Sequence, residues 1–295
     1  MRIDPVLAET LAAVVDEGTF DAAAARLRLT PSAVSQRVKS LEEQIGRVLV
    51  VRSKPARATD AGAAVVRYAR ELALLEREAL RGLGAEGTDA VRIPIAANAD
   101  SFATWFLPPL VRLSNELGVR FDLYRDDQDY TTERLASGDV SAVVTSSPFP
   151  VAGCSVRPLG RMPYFAVAAR GFADRWFPEG PTRETLERAP FVDFDRRDRL
   201  QRDWLEARGV DPTRPPWSSV PAAFDFVRAV ELGLGWALAP ELQARDALAD
   251  GVLVRLDETP VHVPLFWQQW NIASPTLDRV AAEVAAEARR ALDPA

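Results

Sequence analysis

Cysteine and histidine are nearly missing from this 295-residue chain, which has one of each, Cys154 and His262. A lone cysteine excludes an intramolecular disulfide and fits a reducing cytoplasm. One cysteine with one histidine cannot make a His/Cys zinc site, and no nucleophile motif accompanies His262 to complete a Ser-His-Asp triad. Long apolar runs are absent as well, so no stretch reaches the length of a membrane span. The first thirty residues include Asp4, Glu9, Asp16 and Glu17 and have no uninterrupted apolar core behind a basic start, so no signal peptide is visible. At 47% hydrophobic and 26% charged residues, the sequence reads as a soluble, globular chain long enough for two or three domains.

What the chain does contain is a helix with two distinct stripes at residues 30–41, Thr-Pro-Ser-Ala-Val-Ser-Gln-Arg-Val-Lys-Ser-Leu. Thr30 suits an N-cap, and Pro31 suits the first helical position because its fixed φ fits the turn and its missing N–H has no helical partner there. Val34, Val38, Leu41 and Ile45 recur at helical spacing and face a core. Ser32, Ser35, Gln36 and Lys39 fall on the opposite stripe, the short hydroxyls, amide and cation that a helix in a major groove uses on base edges and phosphates. Such a stripe is also what a merely solvated helix shows, so context has to decide.

Two helices lead into it: one opened by Asp4-Pro5, carrying Leu7, Leu11, Val14 and Val15 and stopped at Gly18, and a short alanine-rich one expected to be capped by Asp21. After it, residues 48–51 read as a strand, residues 53–55 as a turn and residues 56–58 as a return strand. Three helices and a hairpin make a winged helix-turn-helix over residues 1–59. Charge agrees: between Arg26 and Arg57 eight basic residues face two acids, a net +6 in a chain of −6, which leaves −12 for the remainder. That segregation is the footprint expected for phosphate contact, with Pro31, Ser32, Ser35, Gln36 and Lys39 on the helix and Arg52 and Lys54 on the wing as candidates to touch double-stranded DNA.

A long helix follows over residues 60–83, about 24 residues and roughly 36 Å. Ala61, Val65, Tyr68, Leu72, Leu75 and Ala79 form a stripe along it that reads as a coiled-coil seam or as a face packed on its own chain. Gly-Leu-Gly-Ala-Glu-Gly at 82–87 has the spacing of a dinucleotide fingerprint but the wrong order, since a helix precedes it and a strand follows; it reads as a helix stop and a hinge within a linker of residues 60–88.

From residue 89 the pattern alternates strand and helix, an α/β domain with parallel strands. Strands are expected at 91–97, 119–125, 140–144, 164–169, 190–194, 217–220, 235–239 and 263–267, with helices at 101–117, 131–137, 182–188, 199–208, 223–232 and from Ser274-Pro275 onward. Asn98, Asp100 and Ser101 stand where the first strand gives way to a helix, a place for a carboxylate or simply a helix cap. Asp126, Asp127 and Asp129 gather at the next strand end beside Thr131, which together with Thr132 can cap the following helix. One loop prefers an anion and the other a cation, as an amino acid with a basic side chain requires. Thr145 and Asp225 are weaker candidates, and the neighbourhood of Asp193 or Asp225 is the alternative place for the cation.

The string from Phe20 to Glu43, followed by Gly46, Leu49, Arg52 and Thr59-Asp-Ala-Gly62, resembles the DNA-binding domain of the LysR-type transcriptional regulators. Residues 98–106, 150–154, 233–236 and 264–270 (Asn-Ala-Asp-Ser-Phe-Ala-Thr-Trp-Phe, Pro-Val-Ala-Gly-Cys, Gly-Leu-Gly-Trp and Pro-Leu-Phe-Trp-Gln-Gln-Trp) resemble the branch that controls exporters of basic amino acids. Two positions depart from that branch, Ala222 and Phe224, where serine and glutamate are common. The resemblance implies a winged helix-turn-helix, a dimerising linker helix using Val65, Tyr68, Leu72, Leu75 and Ala79, and a two-lobed periplasmic-binding-protein-like effector domain, with lobe I at 89–161 and 268–295 and lobe II at 162–267. It further implies a cytoplasmic homodimer or homotetramer that works with RNA polymerase, responds to lysine or arginine and needs no cofactor, metal or membrane. The rival readings are an amino-acid enzyme and a solute-binding protein; the first predicts turnover, and the second predicts export and leaves residues 1–60 without a purpose.

Overall fold

The computed structural model describes residues 2–83, 91–125 and 128–295. The chain forms two compact units, the first from residues 1–97, 110–157 and 267–283, the second from residues 98–109, 158–266 and 284–295.

The first unit begins with α1 (Pro5–Glu17), α2 (Phe20–Leu27) and α3 (Pro31–Ile45). Asp4 caps α1 by accepting from the Val6 N–H at 2.8 Å, and Gly18 ends it at φ +69°, a conformation open to glycine without strain. The cap of α2 is Thr19, accepting from Ala22 N–H, rather than the expected Asp21, because Thr19 is the residue still in extended conformation while Asp21 already lies in the first turn. Thr30 caps α3 as its sequence suggests. Leu11, Val14, Val34, Val38, Leu41 and Leu49 are buried together where the three helices meet.

The wing is shorter than expected, with β1 (Val50–Val51) pairing antiparallel with β2 (Arg57–Ala58). Val48 is exposed, and the N–H groups of Leu49 and Val50 donate to the Glu42 carboxylate at 2.8 and 3.4 Å, so Leu49 is tied to the last turns of α3 and the ladder starts only at Val50. Helix α4 (Asp60–Gly82) packs its first turns on this core through Val65, Val66 and Ala69. At Gly62 a Cβ would stand 1.8 Å from the Leu49 carbonyl oxygen, so only glycine allows that approach.

Farther along, β3 (Arg92–Ala97) lies between β4 (Arg120–Arg125) and β5 (Ala142–Thr145), all parallel. The single helix expected over 101–117 is two, α5 (Ala99–Thr104) and α6 (Leu107–Leu117). Pro108 and Pro109 lack N–H donors and fit only the first turn of a new helix, so the chain breaks at Trp105-Phe106. Helix α7 (Gln128–Ser137) starts ahead of Thr131, which lies inside the helix rather than at its cap.

The second unit departs most from the expectation of parallel strands. Its centre is β6 (Cys154–Ala169), 16 residues long, followed by α8 (Arg170–Trp176), α9 (Arg183–Leu186), β7 (Phe191–Asp193), α10 (Leu200–Glu206), β8 (Trp217–Ser219), α11 (Ala223–Glu231), β9 (Ala237–Pro240), α12 (Glu241–Ala249) and β10 (Leu253–Arg255). Strand β6 pairs antiparallel with both β9 and β10, while β7 and β8 pair in parallel. Phe165, Val167, Val192, Phe226, Val227, Val230 and Leu253 fill the core beneath. The chain ends with β11 (Val261–Trp270) and α13 (Pro275–Ala291), and His262 on β11 is 2.8 Å from the Asp293 carboxylate.

Candidate DNA-reading face and effector site

The buried stripe of α3 leaves the polar one outside. Pro31, Ser32, Gln36 and Lys39 are exposed and Ser35 is half-exposed. Ser32 shares a 3.0 Å hydrogen bond with the Thr30 hydroxyl, and Lys39 is 3.6 Å from Glu43 one turn on. On the wing, Arg52 and Lys54 are exposed, and the Arg52 guanidinium lies over the Phe20 ring, 5.1 Å from its centroid. A stacked guanidinium keeps its N–H edges available, so Phe20 orients Arg52 without consuming its donors.

The expected seam divides along α4. Val65 is buried in the chain's own core and Tyr68 packs beside it, whereas Leu72 and Leu75 are half-buried and Ala79 is exposed.

Within the second unit, three segments distant in sequence bring acids together. Asn98 and Ser101 are 5% and 0% exposed, and among the described residues the Asn98 Oδ1 and Ser101 Oγ atoms have no hydrogen-bond partner. Asn98 makes no capping bond, so the plain helix-cap alternative does not account for it. Between them Asp100 accepts a 2.7 Å hydrogen bond from the Tyr164 hydroxyl. Burial pushes the Asp100 carboxyl up to about 6 against the opposing hydrogen bond, and the nearby Asp198 charge adds to the rise. Burial also raises the Tyr164 hydroxyl, with Asp100 adding to it.

Asp193, at the end of β7, is fully buried. Its Oδ2 accepts from Arg202 Nε at 3.1 Å and Nη2 at 2.6 Å, and its Oδ1 has no partner among the described residues. Burial lifts this carboxyl to about 6 as well, with Arg202 opposing and Asp198 and Asp195 assisting. Asp198 is raised by burial despite bonds from the Leu200 N–H at 2.9 Å and Gln201 Nε2 at 3.2 Å. The Arg202 guanidinium is flanked by the rings of Phe191 and Trp217. The set therefore holds more buried carboxylate than cation, with acceptor oxygens still lacking donors, which is the environment that binds an ammonium or guanidinium.

The other expected residues lie elsewhere. Thr145, at the end of β5, is buried and accepts from Ser147 N–H at 3.2 Å, and Thr131 is buried on α7. Asp225 is exposed in the first turn of α11. Asp126 and Asp127 fall outside the described residues; Asp129 lies on α7 with its side chain outside them too. Sequence reasoning missed Tyr164, Asp198, Gln201 and Arg202, although the run of charges from Asp193 to Asp203 directly after a strand was a signal. Among the described residues no group of three His, Cys, Asp or Glu is placed to hold a metal ion, and no helix is long and apolar enough to cross a membrane.

A winged helix-turn-helix joined by a long helix to an α/β domain with a cluster of acids is the build of a ligand-responsive DNA-binding regulator. Residues 7–63 match the bacterial regulatory helix-turn-helix protein family, lysR type, and residues 90–289 match the LysR substrate binding domain. The chain belongs to the LysR-type transcriptional regulators, in the branch of LysG and ArgP. It is 42% identical over 292 residues to the lysine export transcriptional regulatory protein LysG of Corynebacterium efficiens, covering 98% of this chain and 99% of the relative. The crystal structure of ArgP from Mycobacterium tuberculosis superposes with a TM-score of 0.92 at 42% identity and covers 100% of both chains. Full-length LysG from Corynebacterium glutamicum with bound effector Arg gives 0.84 at 38% identity, covering 99% of this chain and 100% of that one.

Proposed function

We propose that this protein is a cytoplasmic transcription factor that binds a double-stranded DNA operator as a homodimer or homotetramer, responds to lysine or arginine, and controls an amino-acid exporter gene together with RNA polymerase. In this reading residues 1–59 bind DNA, residues 60–88 pair two chains and residues 89–295 bind the effector. Pro31, Ser32, Ser35, Gln36 and Lys39 enter the groove, and Arg52 and Lys54 reach the backbone. Leu72, Leu75 and Ala79 form the pairing stripe, while Val65 and Tyr68, expected in it, pack on the chain's own core. No cofactor and no catalytic step belong to the reading.

The observation that carries the effector assignment is the gathering of three acids, Asp100, Asp193 and Asp198, with the oxygens Asn98 Oδ1, Ser101 Oγ and Asp193 Oδ1 without a partner among the described residues. Two buried carboxyls at about 6 are carboxylates short of positive charge, and a cationic side chain would supply both charge and N–H donors. The names of the relatives point the same way, one a lysine export regulator and another a protein with bound arginine. Asn98 and Ser101 take the amino-acid backbone, Asp100, Asp193 and Asp198 its cationic end, and Asp225 is a supporting contact. The second placement for the cation is the loop of Asp126, Asp127 and Asp129, favoured by the clustering of three acids at one strand end.

Titration calorimetry of the full-length protein against the twenty amino acids is the test. Lysine or arginine should bind and neutral amino acids should not. Equal affinity for a neutral amino acid, or no binding at all, overturns the reading. Operator binding by the same preparation separates a regulator from a solute-binding protein, and chemical turnover of the bound amino acid would identify an enzyme instead.

A further inference from the structure

Helix α4 has a second face, about a third of a turn from the expected pairing stripe, and it is docked on the chain itself. Arg67 donates to the carbonyls of Ala152 and Gly153 at 2.6 and 2.8 Å. Glu78 accepts from the Ser274 hydroxyl at 2.7 Å and from the Thr276 N–H at 3.0 Å in the first turn of α13. At Gly138, with φ +79°, a Cβ would come within 2.8 Å of the Arg67 Cα, so the α7–β5 turn lies directly against the helix. Leu74, on the same face, is 6% exposed.

Arg70 sits in the middle of this face and joins two domains. One Nη donates to Asp139, in the turn between α7 and β5, at 2.8 Å, and the other pairs with Asp16 near the end of α1. Its side chain is 20% exposed against 29% and 39% for the Asp16 and Asp139 side chains, so the pairs are part-buried and only partly screened by water. Asp16, Arg70 and Asp139 line a groove of about 1060 Å³ that also takes in Arg77 and Trp270, so side chains rather than close packing bridge α1 and the turn.

We infer that Arg70 is a positioning residue for DNA reading, fixing the DNA-binding domain to the effector domain's α7–β5 turn. That turn lies in the chain between Thr131 and Thr145, two residues that the sequence offers as effector contacts, so a shift there moves one of the two carboxylates that hold Arg70. The guanidinium then passes the shift to α1, and through α1 to the recognition helix packed on it. The inference rests on the proposed effector response for what moves the turn, but the link itself sets the separation of two recognition helices even without a ligand.

The test uses the full-length protein, an operator selected by it from random-sequence DNA, and versions of that operator with half-sites moved apart or together by one or two base pairs. Asp139→Asn removes the effector-domain end of the link and leaves Asp16 paired. The expected result is ligand-free affinity for the best operator within about twofold of wild type, but a preference among spacings flattened by roughly three- to tenfold. Where lysine or arginine changes operator affinity, that change should shrink by a similar factor while effector affinity by calorimetry is preserved. Asp139→Glu, which keeps the carboxylate, should recover both, as a purely structural defect would not. Spacing preference and effector response equal to wild type in Asp139→Asn overturn the inference. If wild type binds no basic amino acid, the functional proposal fails, and the spacing profile alone still decides the role of Arg70.

Discussion

The DNA-binding domain and the second unit place their charges in opposite ways. In the first, Lys39, Arg52 and Lys54 stand in solvent on a small apolar core; in the second, Asp193 is buried, Asp100 and Asp198 are half-buried, and burial raises all three carboxyls. Exposed cations suit a partner that brings its own dense negative charge and is released by salt, so affinity comes from many modest contacts. Buried carboxylates suit a small ligand that must be told from its neutral analogues, because an unpaired buried charge is costly and the right ligand removes that cost. In the proposed reading one face serves long-range attraction and the other selection.

The largest effect that would sharpen this contrast lies between the two faces. Leu72→Asp with Leu75→Asp puts two charges into the proposed pairing stripe. Light scattering should then show a lowered mass, and operator affinity should fall by two decades or more, since two half-sites no longer act as one ligand. Calorimetric binding of lysine or arginine should survive. Wild-type mass in the double variant would assign the stripe to the chain's own packing.

Asp100→Asn comes next and acts on the second unit alone. Removing a charge-assisted contact costs about 1.5–3 kcal/mol, so affinity for a basic amino acid should drop by roughly one to two decades, with no change in ligand-free operator binding. The Tyr164 hydroxyl can still donate to the asparagine oxygen, so the ligand-free protein should be at least as heat-stable as wild type at pH 8. Parallel single changes Asp126→Asn, Asp127→Asn and Asp129→Asn separate the two placements of the cation: loss of affinity in that series with none at Asp100 or Asp193 would move the cationic end to the loop.

How much of this was legible follows from the same contrast. Every feature of α3, its Thr30 cap, Pro31 start, buried Val34, Val38 and Leu41 and polar stripe, lies within fifteen residues, where helical periodicity reads directly into three dimensions. The acid cluster needs residues 98–101, 164 and 193–202 to converge, and no local period encodes that. Asn98, Asp100 and Ser101 could be picked out because they sit at a strand end; Tyr164 could not, since it lies mid-strand in an apolar run of β6. The antiparallel pairing of β6 escaped for a related reason: a strand buried along one half reads like any parallel core strand. Proline was informative at Pro31 and overlooked at Pro108-Pro109, where the same rule splits one expected helix in two.

The pH dependence offers a finer test. With Asp100 and Asp193 raised from 3.8 to about 6, both carboxyls are largely neutral at pH 5, and a cationic ligand must displace their protons. Affinity for lysine or arginine should therefore rise as pH is raised through about 6, by up to about tenfold per unit for each group that must ionise, and level off above roughly pH 7. The sign for stability is opposite. A carboxyl whose folded value is raised stabilises the fold below its unfolded value near 3.8 and loses that contribution as pH climbs through 6, so the ligand-free protein weakens over the window in which the ligand binds better. Effector affinity flat between pH 5 and 7.5 would separate these acids from the cation.

The smallest expected effect is on the DNA side, where each contact is modest and screened. Arg52→Ala should weaken all DNA sequences about equally and reduce the slope of log K against log salt by roughly 0.9, the signature of one lost phosphate contact. Arg52→Lys keeps the charge and should keep the slope, losing only the orientation that the Phe20 ring gives the planar guanidinium, about two- to fivefold in affinity. Phe20→Leu should do the same with Arg52 intact, because it removes the stacking surface while leaving an apolar residue against the core. Gln36→Ala should behave differently, leaving the slope nearly unchanged and altering which bases are preferred. A salt slope unaffected by Arg52→Ala would mean that the stacked guanidinium serves only to hold the wing against α2, and the phosphate contact on that side would then pass to Lys54.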